Sequence, residues 1–357
     1  MNTESVRSKL PFYPLLLISP FFFWGTTMVA MKGVLPNTTP LFMAGVRLVP
    51  AGMLVLATAM ISGKSQPKGW QAWLWIALFA LVDGTMFQGF LAEGLVRTGA
   101  GLGSVMIDSQ PLAVALMAWL LFGETIGLWG LIGLGFGIIG ITLLALPDEW
   151  IVSLLQGQVS LDSAQLGINL VSDLFQNGQW LMLLASLSMA VGTVLMRYVS
   201  RHADPIAATG WHMILGGLPL FALSARFETE QFVHLDAANW LAIGYSTVFG
   251  SAIAYGIFFY FAASGSLTSL SSLTFLTPVF ALFFGNLFLG ETLSQVQWFG
   301  VGLTLVSIYL INQRDVLTEK FKAMRQVPIS EVLQLDQSET VSIQEVTPLP
   351  APVAEND

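Results

Sequence analysis

The chain has no cysteine, which excludes disulfides, thiolate metal sites and cysteine nucleophiles. It is also poor in charge. Asp, Glu, Lys and Arg together make up 10% of its 357 residues, where a soluble domain holds nearer a quarter. Walker loops, HExxH and Gly-x-Ser-x-Gly elbows are missing as well, and no two carboxylates are spaced to act as an acid–base pair. The expectation is a protein that is not an enzyme, with no cofactor and no metal. What is abundant is apolar: 54% of residues are hydrophobic and the mean hydropathy is +0.71. Of the net charge of −8, much comes from residues 314–357, with eight acids and four bases. That charge points to no nucleic-acid partner.

Ten apolar stretches approach the ~20 residues that a helix needs to cross a bilayer. They cover about 11–33, 40–61, 70–93, 99–121, 126–146, 178–198, 205–225, 237–262, 266–289 and 294–313. The fold class is an all-α polytopic membrane protein with ten transmembrane helices, and the lipid bilayer is its first partner. The opening run follows Arg7 and Lys9 as a signal peptide would. It exceeds an h-region, contains Pro14 and Pro20 and precedes nine more spans, so it reads as a retained first helix. Lys and Arg collect at the cytoplasmic ends of short loops. With the amino terminus inside, ten fall inside (Arg7, Lys9, Lys64, Lys68, Arg197, Arg201, Arg314, Lys320, Lys322, Arg325). Only Lys32, Arg97 and Arg226 fall outside. Both termini are expected in the cytoplasm, with a bacterial inner membrane as the location.

Two stretches 167 residues apart carry one signature. Pro111 interrupts an apolar helix that leads to Gly123-Glu124-Thr125, and Pro278 interrupts another that leads to Gly290-Glu291-Thr292. Gly25-Thr26 and Ser104 recur at the same offset as Gly192-Thr193 and Ser271, and Pro40 and Gly45 recur 165 residues on as Pro205 and Gly210. Five helices per unit is an odd number, so two such units enter the membrane in opposite senses, as inverted repeats. The expected organisation is a cytoplasmic segment 1–10, a first repeat 11–146, a non-cytoplasmic connector 147–177, a second repeat 178–313 and a cytoplasmic tail 314–357 read as disordered. In the connector, Trp150, Ile151, Val152, Leu154 and Leu155 suit either a surface helix or an ordinary loop.

This plan resembles the drug/metabolite transporter superfamily and, within it, the ten-helix EamA-type transporters. The resemblance spans roughly 11–313. It is carried by the paired Pro…Gly-Glu-Thr motifs, Trp24-Gly25 in the first helix, Arg47 in the second and the small residues before each proline. Val191 stands where the first half has Trp24, and His212 roughly where it has Arg47. The resemblance implies export or exchange of small organic metabolites without ATP, often coupled to protons.

An ionisable side chain in a span costs ~2.5–3.5 kcal/mol on insertion scales, so it marks a cavity or a partner. Asp83 and Asp108 are the proton-coupling candidates. Their equivalents at the 167-residue offset are Gly250 and Phe275, and that asymmetry favours function over framework. Asp108 shares a helical stripe with Gly101, Ser104 and Pro111. Pro111 cannot donate to the carbonyl of Ile107, which leaves a free acceptor beside the acid. The plain alternative for Asp108 is an interhelical hydrogen bond, with Arg47 as partner. For Asp83 it is support of the packing at Gly84 or a pair with the second helix. Arg47 either receives a substrate carboxylate or phosphate, or neutralises Asp108. Trp24, Gln88, His212 and Tyr255 complete the substrate-contact candidates. Lipid-facing positions are the default for the other aromatics, Phe21, Phe22 and Phe23 among them. Glu93 and Arg97 suit a local ion pair. Pro111, Glu124, Pro278 and Glu291 are assigned a structural or gating role, each glutamate near the amino end of the following helix. Gly123, Gly127, Gly130, Gly133 and Gly137 suit close helix packing and a homodimer face.

The reading is a secondary active transporter of small organic metabolites, working by alternating access as exporter or exchanger, with protons as co-substrate. The rival is a structural or sensory membrane protein acting through its tail. An inverted duplication argues against the rival, because such a role needs no interconvertible halves.

Overall fold

The computed structural model describes residues 13–123, 127–145, 176–263 and 276–325, and every regular element within them is helical. The first half contains α1 (Tyr13–Val34), α2 (Pro40–Ile61), α3 (Gly69–Arg97), α4 (Ala100–Asp108), α5 (Gln110–Phe122) and α6 (Leu128–Ala145). The second contains α7 (Gly178–Val199), α8 (Pro205–Phe227), α9 in three stretches (Ala237–Tyr245, Ser246–Ile253, Ala254–Ala263), α10 (Leu276–Leu289) and α11 (Gln295–Asn312). A last helix, α12 (Arg314–Arg325), follows. Among the described residues, six helical rods are long and apolar enough to cross a membrane: α2, α3, α4 with α5, α7, α8 and most of α9. α6 and α10 are shorter apolar helices. The chain is a polytopic membrane protein.

Helix starts follow the local sequence. Asp204 precedes Pro205, whose ring fits the first helical position, and its carboxylate accepts from the N–H groups of Ile206 and Ala207 at 3.0 and 3.3 Å. Ser294 and Gln297 form a capping box on α11. Gly123 and Gly290 end α5 and α10 at φ +64° and +66°, the left-handed conformation that a residue without Cβ adopts without cost. Within the span read as a tail, the chain is helical as far as Arg325. Glu124, nearly all of the connector and residues 326–357 lie outside the described residues.

Local features recur between the halves. α3 and α9 each contain a π-helical stretch, Ala80–Phe87 and Ser246–Ile253, 166 residues apart at both ends. The expected 167-residue register therefore slips by one here. Gly84 corresponds to Gly250, and Asp83 to Phe249.

The packing recurs too. On α2 and α8, a Cβ at Gly45 would meet Phe221, and one at Gly210 would meet Leu56. Gly52 faces Met213 and Ile214, while Gly217 faces Val49 and Leu48. At the 165-residue offset each contact is the counterpart of the other, the pattern of a two-fold related pair. Partner numbers fall along one helix as they rise along the other, so α2 and α8 run antiparallel. α6 and α11 behave alike: Gly133 lies against Leu310 and Ile311, and Gly300 against Leu143 and Leu144. The glycine stripe read as a homodimer face thus faces helices of the same chain at Gly133 and Gly137, and Gly140 further along packs the same way. Both ends of the α2–α8 pair are tied across the halves. Glu228 accepts from the N–H groups of Leu41 and Phe42 and the Thr39 hydroxyl at 2.9, 3.0 and 2.7 Å. At the other end Lys64 lies 3.8 Å from Asp204.

Candidate functional site

Between the halves lies a cavity of about 400 Å³. Six of the residues singled out by their chemistry line it: Trp24, Arg47, Asp83, Gln88, Asp108 and Tyr255. They arrive from α1, α2, α3, α4 and α9. The π stretches matter here, since wider coiling displaces the helix surface and is common at functional positions; Asp83 and Gly250 both belong to them and both line the cavity.

Arg47 is buried. One terminal nitrogen donates to the Ser251 hydroxyl at 2.9 Å and the other to the Gln88 side-chain oxygen. Its Nε–H has no acceptor among the described residues. Of the two alternatives for Arg47, the pair with Asp108 does not form; both hydrogen-bond partners of the guanidinium are neutral. Sequence reading missed Ser251, because one serine among many in an apolar chain carries no signal.

Asp83 pairs neither with the second helix nor with the backbone at Gly84. Its Oδ2 stands 3.1 Å from His212 Nε2 on α8, in the other half. The imidazole is held by Phe79, ring centroids 4.1 Å apart, and its Nδ1 is buried with no partner among the described residues. Room for the carboxylate comes from Gly192, where a Cβ would approach Asp83 Oδ1 to 2.5 Å. Gly84 serves the packing instead: a Cβ there would lie 2.7 Å from Gly216 Cα. His212 does not line the cavity and reaches it only through Asp83.

Asp108 ends α4 at a break centred on Ser109. Ser104, one turn earlier, donates to its Oδ2 at 3.1 Å. The Ile107 carbonyl, expected to be free because of Pro111, accepts from the Ser186 hydroxyl of α7 at 3.2 Å. A lost helical bond is thus replaced across the halves. Past the break, Gln110 donates to Thr193 at 2.5 Å. Pro111 lines the cavity, and so does Thr277, immediately before Pro278. Thr27 and Thr277 both line this space, and their hydroxyls are buried with no partner among the described residues.

Trp24 meets Tyr255 and Phe258 at centroid separations of 5.5 and 5.4 Å. Of its neighbours, Phe21 is fully buried rather than lipid-facing; Phe22, packed on Phe280 and Phe284, and Phe23, packed on Phe249, are half-buried. Glu93 and Arg97 form the local pair, at 2.8 Å. Glu291 departs most from expectation. Ser294 caps the helix that follows it, whereas the Glu291 carboxylate accepts from the N–H groups of Ala100 and Gly101, at 2.6 and 3.0 Å. It caps α4 of the first half.

A multi-span helical protein with a cavity of this kind between two matching halves belongs to the class of membrane transporters. Comparison with known proteins gives the family. The model of the EamA-like transporter family matches twice, over residues 11–146 and 176–313, and the chain belongs to that family within the drug/metabolite transporter superfamily. It is 62% identical over 306 residues to the uncharacterized transporter sll0355 of Synechocystis sp., covering 85% of this chain and 90% of that protein. It is 53% identical over 301 residues to the chloroplastic WAT1-related protein At3g02690 of Arabidopsis thaliana, covering 83% and 68%. A solved crystal structure shares the fold at 15% identity, with a TM-score of 0.56 over 83% of this chain and 94% of that one.

Proposed function

We propose that this protein is a secondary active transporter that moves a small organic metabolite by alternating access of the central cavity, as exporter or exchanger. The cavity carries the argument, because its polar groups pair across the halves: Arg47 with Ser251, and Asp83 with His212. A relative movement of the halves must then break or remake contacts at the binding site itself. The antiparallel, reciprocal packing of α2 with α8 and α6 with α11 supports two inverted five-helix repeats, 11–146 and 178–313. An axis relating antiparallel spans lies in the membrane plane. Asp108 and Asp83 are the proposed proton carriers, and Arg47, Trp24, Gln88 and Tyr255 the proposed substrate contacts, with His212 positioning Asp83. Both termini are proposed to be cytoplasmic, in a bacterial inner membrane.

Reconstitution tests this. Proteoliposomes of the full chain are incubated with a mixture of amino acids, nucleosides, sugars, organic acids and amphipathic cations, and their lumen is analysed by mass spectrometry. Selective accumulation over protein-free vesicles is expected, and truncation after Arg325 should preserve it. No selective uptake refutes the transporter reading. Uptake that disappears with the tail would shift the work to residues 326–357.

A further inference from the structure

Arg47 carries a permanent positive charge into the cavity wall, and the described residues offer it no negative partner. Its two hydrogen bonds go to Ser251 and Gln88, and its buried Nε–H is unsatisfied. A buried guanidinium without a counter-ion is a costly arrangement. It becomes favourable when a ligand brings the missing charge with hydrogen-bonding oxygens. Thr27 and Thr277 line the same space; their hydroxyls have no partner among the described residues and become further donors to an anion once those side chains turn toward it. Much of the remaining wall is apolar, with Trp24, Met28, Phe87, Met189 and Phe258. One cation in an apolar chamber suits a single carboxylate on a hydrophobic body better than a phosphate, whose second charge would go unmatched. A volume of about 400 Å³ lies in the range of small-molecule sites.

Two carboxylates share that chamber, and an incoming anion must not meet them both ionised. Asp83 is engaged by His212. Asp108 has only the Ser104 hydroxyl as a hydrogen-bond partner among the described residues. We propose that the cavity takes an amphipathic monocarboxylate, received at Arg47, and takes it together with one proton carried on Asp108. The proposal rests on the transporter reading above.

The coupling is electrostatic. In a low-dielectric cavity an ionised Asp108 repels the incoming carboxylate, while a protonated one does not and offers an O–H. Proton and anion then tighten each other's binding by the same factor. The groups that face Asp108 across the cavity are Arg47 from α2, Asp83 from α3 and Tyr255 from α9, with His212 of α8 behind Asp83. The lining contributed by α1, α5, α7 and α10 holds no titratable side chain among the described residues. The sign follows: anion affinity rises as pH falls.

The test uses three matched probes, 3-phenylpropionate, 3-phenylpropan-1-ol and 3-phenylpropylamine, in thermal-shift titrations of the detergent-purified full chain at about pH 5.5 and about pH 7.5. Only the carboxylate should raise the melting temperature saturably, with an apparent Kd about tenfold or more tighter at the lower pH. Asp108→Asn should keep carboxylate binding and lose its pH dependence. Arg47→Gln should abolish binding, and Arg47→Lys should retain part of it. The alcohol and amine keep the test independent of how any variant folds. Equal or better binding of either overturns the anion class and leaves the transporter reading standing. An unchanged pH dependence in Asp108→Asn overturns the proton coupling alone. Failure of every solute in the reconstitution above removes the transporter reading, whatever binds in detergent.

Discussion

Replacing Glu291 by alanine removes a carboxylate that spans the two halves at the turn from α3 to α4. Two N–H groups, of Ala100 and Gly101, point at its oxygens at 2.6 and 3.0 Å. The pocket around it is shaped for that group. A Cβ at Gly99 or at Gly285 would come within 2.9 or 2.7 Å of the carboxylate. On the other side of the turn, Lys32 Nζ donates to the carbonyls of Leu95 and Val96 at 2.8 and 3.1 Å. An anion thus holds the positive end of α4 while a cation holds the negative end of α3. Hydrogen bonds to a charged group contribute about 1.5–3 kcal/mol each when buried, and an N-cap removal costs about 0.5–2 kcal/mol. These two share one carboxylate in a partly buried place, so Glu291→Ala should cost about 2–3 kcal/mol, and Glu291→Gln, which keeps one acceptor, about half. At about 2–4 °C per kcal/mol, the alanine variant should melt about 4–12 °C lower. Because the chain has no cysteine, a thiol can be placed without background. Leu91, which lines the cavity, is the position to use. In Leu91→Cys, a membrane-impermeant maleimide should react faster when Glu291→Ala is added. A melting temperature within about 1 °C of the parent, together with an unchanged labelling rate, would refute the clamp.

The Asp83–His212 contact should give a coupling energy of about 1–2 kcal/mol in a double-mutant cycle of Asp83→Asn and His212→Gln measured by thermal denaturation; strict additivity would mean that the two groups merely adjoin. Gly290→Ala has open space around it but a φ of +66°, so it should lose about 1–2 kcal/mol from backbone strain alone. Gly290→Asn should recover part of that loss in the same melt. Gly52→Ala sets a Cβ 2.8 Å from the Gly210 carbonyl, which forces apart backbones that cannot yield like a side chain. It should cost at least about 2 kcal/mol and lower the yield of monodisperse protein in size-exclusion chromatography.

Much of the candidate site was legible because an ionisable or amide side chain in an apolar span rarely lacks a purpose. Trp24, Arg47, Asp83, Gln88, Asp108 and Tyr255 all border one cavity. Their partners were not legible. Asp83 meets a residue 129 positions away, and Arg47 one 204 positions away; helical periodicity sees only neighbours three or four apart. Serine and threonine are too frequent to stand out, so Ser186, Ser251, Thr27 and Thr277 were missed although each satisfies or awaits a bond at the site. The π stretches leave no propensity signal, and the register slip at them misassigned the counterpart of Asp83. Glu291 was placed on its own following helix because capping rules are local, whereas the helix it caps belongs to the other half.

The division between what recurs and what does not has a physical sense in the reading proposed here. Glycine contacts of α2 with α8 and of α6 with α11 are paired term by term, so exchanging the roles of the halves would cost that frame little. Two access states of similar energy need such a frame, because a ligand can shift the balance only by its differential affinity for them. The charged groups break the symmetry. Asp83 corresponds to Phe249 and Gln88 to Ala254 in the π register, and Arg47 roughly to His212. A substrate is not symmetric, and a site that must hold one end of it by charge and the other by aromatic rings has no use for a mirrored copy. Placing the acids and the guanidinium in one half, and a histidine and a serine opposite them, puts the polar bonds across the surface along which the halves would move. Each of those bonds is then a term that differs between the two states, and a ligand or a proton that replaces one of them acts directly on the equilibrium.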